Sequence, residues 1–225
     1  VLTGIAAGGL MGALNGALIH CTGINFFVLT LASGGMLRGI SLMITDGKPI
    51  TKFGKAFMQL GIGRIGEFQF PVLFALTLIL LSSPLMFHVK WGNYVQALGG
   101  SETALKRSGV RTGFYRISVH VFLGITAAVT AVIITARLNS AEPNAGMNME
   151  LDAITAVIMG GTPIRGGNAS IAGTVLAVLI LGIIRNGLTL LSVSSDFQQW
   201  VTGFLLLASV LISEIRVWNT RALIK

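Results

Sequence analysis

Residues 1–20 read VLTGIAAGGLMGALNGALIH. The stretch holds no Asp, Glu, Lys or Arg. It has the length, about 20 residues, that a helix needs to cross ~30 Å of hydrocarbon. Gly4, Gly8, Gly12 and Gly16 recur every four residues, with Ala13 and Ala17 beside them. On a helix they form a smooth ridge that lets a neighbouring backbone approach closely. This span is therefore expected inside a multi-helix bundle rather than alone in lipid. Asn15 is a polar group within it, read first as an interhelical hydrogen bond and second as a contact along a solute path.

The remaining composition agrees. Of 225 residues, 53% are apolar and only 11% charged, against about 25% charged in ordinary soluble domains. Mean hydropathy is +0.80. These values exclude disorder and argue against a soluble domain. The 29 glycines show no collagen period and suit close packing of membrane helices. Cys21 stands alone, so neither an internal disulfide nor a cysteine-built zinc site is available. The net charge of +8 comes from basic residues lying mostly between apolar runs. There they mark membrane orientation rather than a nucleic-acid surface. No charged region or cleavage site precedes the first span, so it is not expected to be a signal peptide. The N-terminal part of a longer protein is expected to be missing.

Apolar stretches at 1–20, 26–45, 70–89, 115–136, 151–164, 170–191 and 198–213 read as spans. The fold class is all-α, a polytopic transmembrane helix bundle. Lys90, Lys106, Arg107, Arg111 and Arg116 crowd one joint, and Arg216, Arg221 and Lys225 the tail. The positive-inside rule puts both in the cytoplasm. An even number of crossings must separate them, so the short 151–164 stretch is counted as crossing, shielded within the bundle. With Arg165, the inner side then holds nine basic residues; the outer side holds Lys48, Lys52, Lys55, Arg64 and Arg137. The outer 46–69 loop is expected to carry a short surface helix. Arg38 and Arg185 fall within spans, where an uncompensated charge is costly. Snorkelling or pairing inside the bundle is favoured over solute contact for both.

In the inner joint, Ser101 is placed to cap a short helix, with Glu102 at its positive end and Lys106 and Arg107 at its negative end. Gly109 suits a left-handed stop. A rigid helix there can transmit a push to the bundle. No phosphate-cradling G-x-x-x-x-G-K-[ST] occurs, so the chain has no such means of holding ATP. His20, His88 and His120 are widely separated, and each reads as a span-end or packing residue. Glu150 and Asp152, two apart, do not share a helix face. No catalytic constellation is present in this reading, and the protein is not expected to be an enzyme.

Three segments resemble sugar-type ABC importer permeases, the family of ribose, xylose, arabinose and galactose permeases. The first runs Ala97-Leu98-Gly99-Gly100-Ser101-Glu102, then Ala104 and Ser108-Gly109-Val110. It resembles the family's coupling loop, with Ser101 where Asn is usual and Leu105 where Ala is usual. The second is Phe27-Val28-Leu29-Thr30-Leu31 followed by Arg38-Gly39, with Ala32-Ser33-Gly34 replacing the common Gly-Thr-Met. The third begins Glu150-Leu151-Asp152-Ala153-Ile154 and continues through Gly160-Gly161-Thr162, Gly166-Gly167, Gly173-Thr174 and Asn186-Gly187-Leu188. Pro163 and Ala169 depart from the usual Ser and Gly. Their order and spacing over nearly the whole chain point to the family, and not to one substrate.

The resemblance implies a single transmembrane permease domain over 1–225, with seven spans of an expected ten and a cytoplasmic coupling loop at about 92–114. Its ATPase-coupling residues would be Gly99, Gly100, Glu102, Ala104 and Gly109. Asn15, Thr30 and Asn186 are nominated for the solute path, with back-bonding of Thr30 to its own helix an equal reading. The implied partners are two ABC ATPase subunits, a second permease copy or homologue, a periplasmic sugar-binding protein and the lipid bilayer, with no nucleic acid. No cofactor is expected in this chain, ATP being held by the partner. The implied place is the bacterial inner membrane, multi-pass, with a cytoplasmic C-terminus, and the implied task is ATP-driven import of a monosaccharide. A branched-chain amino-acid permease is the nearest rival. An ion-coupled secondary transporter is a rival of another class, and would normally need intramembrane carboxylates. A purely structural membrane subunit would leave the capped inner helix unexplained.

Overall fold

A computed structural model describes residues 1–163 and 166–222, with side chains to residue 213. Arg165 and Lys225, counted above for the inner side, lie outside the described residues, as do the side chains of Arg216 and Arg221. The elements in order are α1 (Leu2–Thr22), α2 (Phe26–Thr45), β1 (Ile50–Thr51), α3 (Lys55–Ile62), β2 (Arg64–Ile65), β3 (Phe68–Gln69) and α4 (Phe70–Phe87). They continue with α5 (Lys90–Gly100), α6 (Glu102–Arg107), α7 (Thr112–Leu138), β4 (Ser140–Ala141), α8 (Met149–Met159), α9 (Ile171–Leu190) and α10 (Ser195–Ala222). The all-α polytopic expectation holds. Five helices, α1, α2, α4, α7 and α9, are long and apolar enough to cross a membrane. α10 occupies the last expected span. α8 has 11 residues, which rise only ~16 Å at 1.5 Å each, so the helix alone cannot cross.

The chain forms two compact units. One comprises Val1–Leu98 with Glu102–Gly146, the other Gly99–Ser101 with Met147–Lys225. In the first, α1 and α7 run antiparallel and the glycine ridge is their seam. A Cβ at Gly8 would strike Gly124 and Ala128; one at Gly12, the backbone of His120 and Val121; one at Gly16, that of Ile117. His20 ends the seam against Gly113. Gly4 has nothing within 4 Å, so the ridge is used from its second glycine onward.

Local chemistry sets the helix ends. Asn25 caps α2 by accepting from the Phe27 N–H at 2.9 Å. Gly23 closes α1 in the left-handed region at φ 67°, its N–H bonded to the Ile19 carbonyl. Asn139 closes α7 at φ 50°, a conformation Asn tolerates better than most side chains. The expected surface helix is present as α3, and Gly61 brings it onto the backbone of Ala136 and Arg137 at the end of α7. β1 pairs antiparallel with β4. The 46–69 and 139–148 segments thus meet at one end of this unit, as two joints on the same membrane side should.

Neither α2 nor α4 has a buried residue. Phe26, Val28, Met36, Met43, Ile44, Leu80 and Leu81 are among their exposed apolar side chains. Such surface would be a liability in water. Here it belongs to helices of membrane-spanning length.

In the second unit α8 packs against both α9 and α10. Thr155, Ala156 and Ile158 of α8 are buried. α8 and α9 are antiparallel: Gly160 lies against Gly173 and Thr174, while Asp152 reaches Arg185. Short α8 therefore lies along most of α9. Ser170 caps α9, accepting from the Gly173 N–H at 3.2 Å.

Candidate functional site

The inner joint is more structured than its sequence suggested. The stop after α6 is as expected: Gly109 has φ 80° and donates its N–H to the Lys106 carbonyl at 3.1 Å. Ser108 donates its N–H to Ala104 O at 3.1 Å. Glu102 forms an ion pair with Arg116 of α7, and Leu105, the side chain that departs from the usual Ala, is buried. α6 is thus fastened to α7 by a charge pair.

The region just before Gly99, part of the inner joint, is helical. In α5, Trp91, Tyr94, Val95 and Leu98 recur at helical spacing, and that periodicity was the overlooked signal. Trp91 Nε1 donates to Ser118 Oγ at 2.9 Å. The Tyr94 and Tyr115 rings lie 5.1 Å apart, and Gln96 Nε2 donates to the Met86 carbonyl at 3.0 Å. α5 is thereby tied to the end of α4 and the start of α7.

Gly99 and Gly100 belong to the second unit, where they face Gly166 and Gly167. A Cβ on Gly99 would come within 2.8 Å of the Gly167 nitrogen, and one on Gly166 within 2.9 Å of the Gly99 Cα. Gly166 and Gly167 have φ 78° and 96°. Both glycine pairs were singled out in the sequence, and their juxtaposition supplies a physical reason for them.

A polar cleft of about 440 Å³ opens between α8, α9 and α10 within the second unit. Asp152 and Thr155 line it from α8, Arg185 from α9, and Gln198, Gln199 and Thr202 from α10. Arg185 Nη2 holds the Asp152 carboxylate and donates to Thr202 Oγ1 at 3.3 Å. Thr202 in turn donates to the Gln198 carbonyl at 3.0 Å, and Gln198 Nε2 to the Val193 carbonyl at 3.1 Å. The favoured reading of Arg185, pairing within the bundle, is what the structure shows. Glu150 and Asp152 lie in the first turn of α8, where the helix dipole favours negative charge.

The three path nominees are scattered. Asn15 is half-buried on α1. Thr30 Oγ1 donates to the carbonyls of Phe26 and Phe27 at 2.8 and 3.2 Å, back-bonding to its own helix. Asn186 is exposed and is not among the cleft residues, although Arg185 beside it is. Sequence reading weighed Asp152 only beside Glu150 and missed its pairing with Arg185, and it missed Gln198 and Thr202. Their signal was the need of Arg185 for a partner, together with a polar stripe at 195, 198, 199 and 202 along α10.

The profile of the family described as "Branched-chain amino acid transport system / permease component" matches residues 1–210. The chain is 37% identical to the ribose import permease protein RbsC of Escherichia coli K12 over 94% of its own length and 67% of that protein's. It is 35% identical to the D-allose transport system permease protein AlsC of the same strain, over 96% and 66%. It is 30% identical to that strain's L-arabinose transport system permease protein AraH, over 90% and 62%. The chain thus spans about two thirds of the length of these relatives. No solved structure matches it.

Proposed function

We propose a role in sugar import from one premise: the chain belongs to the branched-chain amino acid transport system / permease component family, and within it to the permeases of sugar ABC importers. It is a multi-pass membrane protein. Its task is to form part of the path by which a monosaccharide, delivered by an extracytoplasmic binding protein, crosses the bacterial inner membrane. Energy enters from two ATPase subunits, and a second permease copy or homologue completes the bundle. ATP is bound by the ATPases, while this chain supplies a path rather than bond chemistry. The joint and the C-terminal tail face the cytoplasm.

The observation that carries this reading is the similarity to ribose, allose and arabinose permeases across at least nine-tenths of the chain. The geometry of α6 supports it. A six-residue helix bound to α7 through the Glu102–Arg116 pair has little freedom of its own. A push on α6 is therefore passed to a 27-residue span. Motion of that kind, a packed helix shifting as a body, is how domains relay closure.

The charged pair at Asp152 and Arg185 is the feature that would suit the amino-acid rival, because a zwitterion needs both signs. Reconstitution of the full-length permease with its ATPase and binding protein decides between them. Uptake of D-ribose, D-allose or L-arabinose on ATP addition supports the sugar reading. ATP-dependent uptake of L-leucine with no sugar uptake contradicts it.

A further inference from the structure

We propose that the cleft between α8, α9 and α10 is a binding site for a polyhydroxylated solute on its way through the permease; this rests on the import reading above. A cavity of about 440 Å³ falls in the range of small-molecule sites, about 300–1,000 Å³. Three helices converge on it, and each contributes a hydrogen-bonding side chain. Both bonds of the Arg185 guanidinium use Nη2. Nη1 and Nε have no protein partner among the described residues, and neither has Asp152 Oδ2. The Arg185 side chain is 46% exposed and that of Asp152 23%. One edge of the pair is thus used to hold the helices together, and the other faces open space.

That unused edge has a definite chemistry. It offers a planar donor fork from Arg185 beside an acceptor oxygen from Asp152. A vicinal diol is donor and acceptor at once, so it bridges the two without breaking the ion pair. Gln199 adds a neutral partner. The pair's charges cancel, so a neutral solute adds no unpaired charge. A zwitterion would set its carboxylate on the Arg185 fork and its ammonium on Asp152 Oδ2, bringing two further charges into the cleft, which a membrane protein compensates at a cost. The cleft also includes Met147–Met149 and Ser195, so it lies where α8 and α10 begin. In the proposed orientation this is the extracytoplasmic end, which a solute released by a binding protein reaches first.

The test places a reporter in the cleft. In the assembled transporter, with Cys21→Ser in the permease, Gln199→Cys is reacted with a small thiol reagent, with and without D-ribose. D-ribose is expected to slow the reaction several-fold and L-leucine to leave it unchanged. Adding Thr202→Val, nearly isosteric but without the hydroxyl, should raise the ribose concentration needed for half-protection by about tenfold, the scale of one hydrogen bond involving a charged group. Arg185→Gln should abolish protection. Ribose uptake by the same assembly without the reporter cysteine is measured alongside. A transporter that imports ribose, yet shows no protection at 199 and no effect of Thr202→Val on the concentration dependence of uptake, overturns the cleft site and leaves the import reading standing. Protection by L-leucine instead of D-ribose also overturns the proposal. Absence of any sugar uptake overturns the import reading itself.

Discussion

Gly12 of α1 and His120 of α7 meet backbone to backbone, so closely that a Cβ on the glycine would overlap the His120 carbonyl. The relief open to a crowded side chain, a change of rotamer, is absent, because the obstacle is main chain. In lipid, where helices gain no hydrophobic driving force from meeting, close packing of this kind supplies much of the attraction.

Gly12→Leu should therefore separate α1 from α7. Overpacking against flexible side chains costs about 1–3 kcal/mol, and a backbone obstacle should lie at or beyond the upper end. The thermal midpoint of detergent-solubilised permease should fall by several degrees. Gly4→Leu, two ridge positions earlier but with open space around it, should leave the midpoint unchanged. Equal effects of the two would show that the seam does not run along this ridge.

Gly109 ends α6 at φ 80°, a conformation that costs an L-residue roughly 1–2 kcal/mol and a β-branched one more. Gly109→Val should insert normally but lose ATPase docking or solute-stimulated turnover. Gly109→Asn, better tolerated in this region, should retain most of it. Unchanged transport by the assembled complex carrying Gly109→Val would remove α6 from the coupling path.

The pairing of Thr51 with Ser140 makes a covalent test. Antiparallel partners have Cα atoms about 4.5–5.5 Å apart, inside the range a disulfide accepts. With Cys21→Ser, the combination Thr51→Cys and Ser140→Cys should cross-link on mild oxidation, and Thr51→Cys with Gly109→Cys should not. Failure of the first pair would separate the two joints that the fold brings together.

Orientation can be read by labelling single cysteines in intact cells. Lys52 and Arg111 are both exposed, one in the 46–69 segment and one in the basic joint. An impermeant thiol reagent should modify Lys52→Cys and spare Arg111→Cys. The reverse pattern would invert the orientation and place the α8–α10 cleft at the cytoplasmic end.

The helices were legible where the sequence pattern is long and one-sided. The ridge in α1, the stop of α6 and the surface helix α3 all followed from residue type and spacing. Long-range pairing was not legible. Nothing at Asp152 announces that the guanidinium 33 residues later will reach it. The pair exists only because α8 and α9 turn back on each other at Gly160 and Gly173. The path nominees Asn15, Thr30 and Asn186 were chosen as isolated polar residues within spans. A cleft is built by convergence of several helices, and local sequence does not carry that. The amphipathic pattern of α5 was present but masked by its position in a polar joint.

The central claim is that this chain is a passive path whose energy comes from another subunit. The direct measurement is concentrative D-ribose uptake by liposomes holding only the full-length permease, under an imposed proton or sodium gradient, and again with the cognate ATPase, binding protein and ATP. The account predicts no accumulation under either gradient and accumulation in the complete system. Accumulation driven by an ion gradient in the permease-only liposomes would contradict it.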